Sequence, residues 1–173
     1  MFATVALVTC DGLTPNIAIL RSLGVNVDAE TPDPSFQHPA DPSLRVSVFL
    51  DVCHMLKLLR GAFTSELMTT PDGRVINWDY IKALNNLQEK EGLRLANKLK
   101  TSHVLWRNQK MNVKLAAQVF SCSVANALEY CNTNLKLPQF QGCEATVEFL
   151  HHIDASFDVL NSRNPLGKNI LTI

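Results

Sequence analysis

Residues 45–63, RVSVFLDVCHMLKLLRGAF, change period at Asp51. Arg45 to Leu50 is a β-branched, apolar run that reads as a strand. From Asp51 the apolar residues Val52, Met55, Leu56, Leu59 and Phe63 recur at helical spacing. A strand feeding directly into an amphipathic helix is the signature of an α/β layer. The same unit occurs upstream. Phe2 to Thr9 (FATVALVT) predicts a strand buried on both faces. Cys10-Asp11-Gly12 is a turn, and Ile17 to Leu23 is a short helix closed by Gly24. Val25 and Val27 open a further extended piece. Four prolines, Pro32, Pro34, Pro39 and Pro42, make residues 30–43 a loop.

Downstream of the Pro71-Asp72-Gly73 turn the pattern becomes helical, and no strand is expected from about residue 72. Three helices are predicted: Trp78 to Leu99, with Gly92 as a break point, Met111 to Tyr130, and Gln141 to Leu160. The second carries the stripe Leu115, Val119, Phe120, Val124, Ala127 and Leu128. The third carries Val147, Leu150, Ile153, Phe157 and Leu160. The fold class expected is α/β followed by all-α. The chain reads as a piece of a longer one: it opens on a strand, and its last residues, NILTI, form a strand-like end with nothing to pair with.

Hydrophobic residues make up 46% of the 173 residues and charged residues 18%, which excludes a disordered tail. Acids and bases balance at 16 each, but unevenly. Residues 1–80 carry net −4, residues 81–115 net +6, and residues 116–173 net −2. A basic middle between acidic flanks is compatible with a phosphate-bearing partner. The opening apolar run is too short to span a bilayer and lacks the marks of a signal peptide. Five cysteines without a CxxC pair argue against a disulfide scaffold or a zinc site, and for a reducing compartment.

Asp11 follows a strand directly. A carboxylate there is either a turn or cap residue or a ligand for Mg²⁺, which prefers oxygen on a rigid mount. His54, Lys57 and Arg60 recur at three-residue steps, so they share a polar helix face that is either solvated or turned to phosphate. Cys53 and His54 are adjacent, with no second pair at ligand spacing. Asn97-Lys98-Leu99-Lys100 begins like a guanine-reading Asn-Lys-x-Asp but has Lys100 where the acid belongs. Asp158 and Asn161, three apart, can share a helix face and offer a carboxylate acceptor with an amide; ordinary polar residues at a helix end fit the same spacing.

Thr9-Cys10-Asp11-Gly12, Leu23-Gly24-Val25, Phe36-Gln37-His38-Pro39, the helix from Asp51 to Arg60, the block from Gln118 to Leu128, and Phe157 to Asn164 occur in an order that resembles the P-element transposase family and its THAP-domain relatives. The resemblance implies an RNase H-like catalytic domain interrupted by a helical insertion that binds GTP. It places part of the catalytic domain at residues 1–68, the insertion at 69–164, and the start of the return to the catalytic domain at 165–173. It makes Asp11 the second catalytic acid and a Mg²⁺ ligand. It gives Asp158, with Asn161, the guanine, and sets Lys98, Val113 and Ser121 against the nucleotide. GTP resembles a structural cofactor there, not a fuel.

The resemblance further implies transposon-end DNA as the partner of the full-length protein, a nuclear location, no membrane, and room for a homo-oligomer. The family's first and last catalytic acids have no counterpart in this sequence. One carboxylate of three cannot hold two metals, so this chain alone is not expected to catalyse transposition. Two readings stand side by side: a fragment of a Mg²⁺-dependent transposase, and a domesticated, non-catalytic GTP- or DNA-binding module. An inert fragment that does not fold stably is the bland alternative.

Overall fold

In the computed structural model, residues 5–27, 30–95 and 98–162 are described. The chain divides into two compact units between Met55 and Leu56. Expectations for residues 2–4, for Asn97, for residues 163–164 and for the 165–173 segment with its NILTI end lie outside the described residues.

The first unit is built on a three-stranded sheet. β1 (Leu7–Cys10) pairs in parallel with β3 (Asp41–Leu50), and β2 (Ser35–His38) lies antiparallel on the other side of β3. Between β1 and β2 runs α1 (Thr14–Ser22), which carries a proline in its first turn. It ends at Gly24, held at φ 91°, where Val25 N–H donates to Leu20 O at 3.0 Å. Leu20, Val25 and Val48 form a small core, with Ile17, Phe36 and Leu50 packed on it.

Two expectations fail here. Residues 35–38 of the supposed loop are strand β2: Pro34 and Pro39 bracket it without interrupting it, and it occupies a sheet edge. The Pro34 carbonyl even accepts from Val48 N–H at 2.8 Å. Pro42 lies beside a register shift between Gln37 and His38, where a missing N–H is tolerated. The first strand is not buried on both faces either. Leu7 is 53% exposed, and exposure alternates along β1 because it is an edge strand with one covered face.

α2 (Val52–Ser65) contains the division between the units. The second unit is mainly helical: α3 (Asp79–Glu91), α4 (Thr101–Val104), α5 (Val113–Val119), α6 (Cys122–Thr133) and α7 (Glu144–Leu160), with single 3-10 turns at Trp106–Gln109 and Pro138–Phe140. It is not all helix. The Pro71-Asp72-Gly73 turn joins two short antiparallel strands, β4 (Met68–Thr69) and β5 (Val75–Ile76). Short strands without alternation carry no period to read.

The expected helix to Leu99 stops at Gly92, whose φ of 66° lies in the left-handed region. The expected helix from Met111 to Tyr130 is two helices. Ser121 is extended (φ −71°, ψ 148°) and its hydroxyl donates to Gln118 O at 2.9 Å. The apolar stripe hid the break, since Leu115, Val119, Phe120, Val124, Ala127 and Leu128 are all buried on both sides of it. Phe63, Trp78, Phe120 and Phe149 form the centre of this core, with Phe63 5.1 Å from Trp78, edge to face, and 5.3 Å from Phe149.

Candidate functional site

The helical unit contains a groove of about 350 Å³ lined by Lys98, Lys100, Ser102, His103, Lys114, Leu115 and Gln118. Among the described residues three lysines and no acid line it, a donor set that fits an anion with several oxygens. Two segments build it. Lys98 and Lys100 precede α4 and flank Leu99, which is buried and anchors the segment. Lys114 and Gln118, one helical turn apart on α5, supply the facing wall.

α5 starts where it does for two reasons. The Asn112 side chain accepts from Leu115 N–H at 3.1 Å, capping the first turn. The Lys110 and Asn112 carbonyls just before it accept from the Arg60 guanidinium at 2.8 and 3.4 Å. Arg60 is fully buried, 4.5 Å from the Trp106 ring centroid, and burial pushes its guanidinium below its ordinary value. It therefore does not share a solvated or phosphate-facing strip with His54 and Lys57, as the three-residue spacing predicted. The spacing misled because α2 buries a wider arc, with Leu56, Arg60 and Phe63 all inside.

The sequence-chosen residues do not all gather at this groove. Lys98 lines the groove. Val113 is the first residue of α5, beside Lys114. Ser121 precedes α6, its hydroxyl on Gln118 O. Asp158 and Asn161 are exposed at the end of α7 and are not among the residues lining the groove. One turn earlier on α7, Asp154 accepts from Cys122 N–H at 2.9 Å and so ties α7 to the start of α6, next to Ser121. Lys100, His103, Lys114 and Gln118 join the groove unexpectedly: in the sequence Lys100 stands out only as a departure from Asn-Lys-x-Asp and Gln118 only as the start of a motif block. The signals available were the Lys-x-Lys step at 98–100 and the four-residue step from Lys114 to Gln118.

Asp11, in the sheet unit, follows β1. Its carboxylate accepts from Leu13 N–H at 3.4 Å and from the Asn16 amide. Cys10 pairs with Leu50, so Asp51 occupies the matching position on the neighbouring parallel strand, and Asp51 N–H donates to Cys10 O at 2.7 Å. The helical period makes Asp51 the start of a helix, and the signal that pairs it with Asp11 is that both acids directly follow strands. Asp51 also caps α2 through Cys53 N–H at 2.9 Å. Among the described residues no group of three His, Cys, Asp or Glu side chains gathers to hold a metal ion. The residues present do not fit a two-metal centre by themselves.

The chain thus combines a mixed sheet unit with, further along, a helical unit that bears a lysine-lined groove. The chain belongs to the P-element-like transposase family and carries its GTP-binding insertion domain: the family described as "TNP-like, GTP-binding insertion domain" matches residues 53–172. It is similar to the DNA transposase THAP9 of Homo sapiens, 35% identical over 167 residues and 96% of this chain. It is also similar to the transposable element P transposase of Drosophila melanogaster, 30% identical over 129 residues and 74% of this chain. The chain spans 18% and 17% of the length of these two relatives. A solved Drosophila P element transposase strand transfer complex has the same fold, with a TM-score of 0.80 at 26% identity, covering 96% of this chain and 37% of that one. No helix among the described residues is long and apolar enough to cross a membrane.

Proposed function

We propose that this chain binds GTP in its helical unit, with the triphosphate in the groove between Lys98, Lys100 and Lys114 and the guanine read by Asp158 with Asn161. Val113 and Ser121 flank the nucleotide. The carrying observation is the lysine-lined groove free of acids, inside the segment that matches the GTP-binding insertion domain. A carboxylate suits guanine because it accepts from both N1–H and the exocyclic amine. In this reading GTP is a structural ligand and not a fuel, and His103, the imidazole lining the groove, is engaged by Lys100 N–H and the Gln118 side chain.

In this reading residues 1–68 are part of an RNase H-like catalytic domain, residues 69–164 the insertion, and residues 165–173 the return. The full-length protein cleaves and joins transposon-end DNA in the nucleus with Mg²⁺. Asp11 is one oxygen ligand of that centre, and two-metal chemistry needs more carboxylates than the described residues gather. By itself the chain is a non-catalytic GTP-binding module.

Thermal unfolding tests the nucleotide site directly. A ligand specific to the folded state at 100 times its dissociation constant adds about 2.7 kcal/mol. The midpoint should rise more with GTP–Mg²⁺ than with ATP–Mg²⁺, and Asp158→Ala should lose that preference. A cooperative transition indifferent to GTP would sink the assignment.

A further inference from the structure

His103 is almost fully buried at the floor of the groove, and its hydrogen bonds determine more than its own position. The Lys100 backbone N–H donates to its Nδ1 at 2.9 Å. Nδ1 is then an acceptor, so the neutral ring carries its proton on Nε2, 2.9 Å from Gln118 Oε1. The other tautomer would donate from Nδ1 to Lys100 O, 3.1 Å away, and would leave the Lys100 N–H without that acceptor. Only the Nε2–H form satisfies both the N–H of Lys100 and the carbonyl oxygen of Gln118.

The consequence falls on Gln118. A glutamine amide can present either a donor or an acceptor to a ligand, and its two ends are nearly the same shape. With Oε1 committed to His103, Gln118 is left with its NH₂ group, which has no protein partner among the described residues. Gln118 lines the groove together with Lys98, Lys100 and Lys114. Resting on the GTP reading above, we infer that Gln118 is a hydrogen-bond donor to a phosphate oxygen of the bound polyphosphate, and that His103 is the positioning residue that fixes which end of the amide meets it. The lysines attract any anion, as mobile point charges. The Gln118 amide adds a donor of fixed direction, which is what distinguishes a phosphate group held in one place from one held loosely.

The test is calorimetric titration of the whole chain with inorganic tripolyphosphate, GTP, ATP and guanosine, with ligand-free thermal midpoints recorded for every variant. Gln118→Glu keeps the acceptor for His103 but turns an anion toward the phosphates, and Gln118→Met keeps the bulk without the donor. Losing one hydrogen bond to a charged oxygen should weaken tripolyphosphate binding about tenfold in Gln118→Met, and more in Gln118→Glu; the ligand-free midpoint should hold in Gln118→Glu, which keeps the acceptor for His103, and fall in Gln118→Met, which leaves the buried His103 Nε2–H unpaired. His103→Gln places an amide nitrogen near the Nε2 position and should retain affinity, whereas the shorter His103→Asn should fall to the level of Gln118→Met. Histidine ¹⁵N shifts should report the Nε2–H tautomer.

Tripolyphosphate affinity unchanged in both Gln118 variants overturns the inference, as does an Nδ1–H tautomer. If the wild type binds tripolyphosphate with this Gln118 dependence but does not prefer GTP to ATP, the inference stands and the guanine reading falls. If GTP is preferred while Gln118 is silent, the reverse holds. A wild type that binds neither overturns both.

Discussion

The Arg60 guanidinium lies 4.5 Å from the centroid of the Trp106 ring, buried, with two backbone carbonyls as its hydrogen-bond acceptors. It therefore connects α2 to the segment that leads into α5, one wall of the basic groove. The contact joins a desolvated cation to an aromatic face and to the Lys110 and Asn112 carbonyls, each of which strengthens the other in a low-dielectric setting.

Removing this cation should cost more than a surface charge would. Arg60→Ala leaves both carbonyls without their donor and a cavity beside Trp106, so a loss of about 3 kcal/mol is expected in urea unfolding. Arg60→Lys keeps a charge but not the planar fork, and should lose about half as much. A loss below 0.5 kcal/mol in Arg60→Ala, the range of ordinary surface changes, would show that the clamp is not a stabilising contact.

Gly92 offers a cleaner measurement. Its φ is 66°, and nothing lies within 4 Å of where a Cβ would stand. The substitution Gly92→Ala thus carries conformational strain without a clash, and should destabilise by about 1 kcal/mol. Gly92→Asn should cost less, since asparagine tolerates the left-handed region. Equal stability of wild type and Gly92→Ala would mean that α3 does not end in this left-handed cap.

Acid should weaken the hairpin's attachment to α7. Arg74 donates to Glu148 at 2.7 and 3.0 Å and to Asp72 at 2.7 Å. The Arg74 guanidinium holds the Glu148 carboxyl below its ordinary 4.5. Thr70 and then Arg74 hold Asp72 below 3.8. Depressed folded values mean that the contribution is complete above the unfolded values and disappears as pH falls through the folded ones. Stability should therefore drop as pH goes from about 5 to below 4. All three groups are exposed, so the effect is small and 1 M salt should reduce it. Arg74→Gln should flatten this part of the pH profile; an unchanged profile would remove the ion pairs from the account.

The groove makes a prediction about salt. If the lysines hold a triphosphate, Lys114→Ala should weaken GTP binding severalfold at low ionic strength and by less at high, because solvent-exposed charges are screened within about 10 Å at 0.1 M. A titration of GTP affinity against NaCl for wild type and Lys114→Ala measures both slopes, and parallel lines would place the phosphates elsewhere.

Some of this was legible along the chain. The switch from strand to helical period at Asp51, the stop at Gly24, the turn at residues 71–73 and the stripe from Leu115 to Leu128 all rest on local sterics and on periodic burial, which neighbouring residues encode. The family followed from motif order. Of the candidate site, Lys98 was found in the groove, but Lys100, His103, Lys114 and Gln118 were not foreseen.

The local pattern carried the strand–helix unit ahead of a helical one, the ends of α1 and α7, and part of the core: Phe63, Phe120 and the aliphatic residues of the stripe along α5 and α6. Long-range packing made residues 35–38 an edge strand, broke the stripe at Ser121 and turned Arg60 inward. It also decided that lysines from two segments meet across one groove. These are long-range facts: strand pairing, the partner of a buried charge and the convergence of like charges depend on contacts between residues distant along the chain, which no local period encodes. His103 shows the difference most plainly. Its helix position is local, but its tautomer, and through it the orientation of Gln118, exists only once α4 and α5 are packed together.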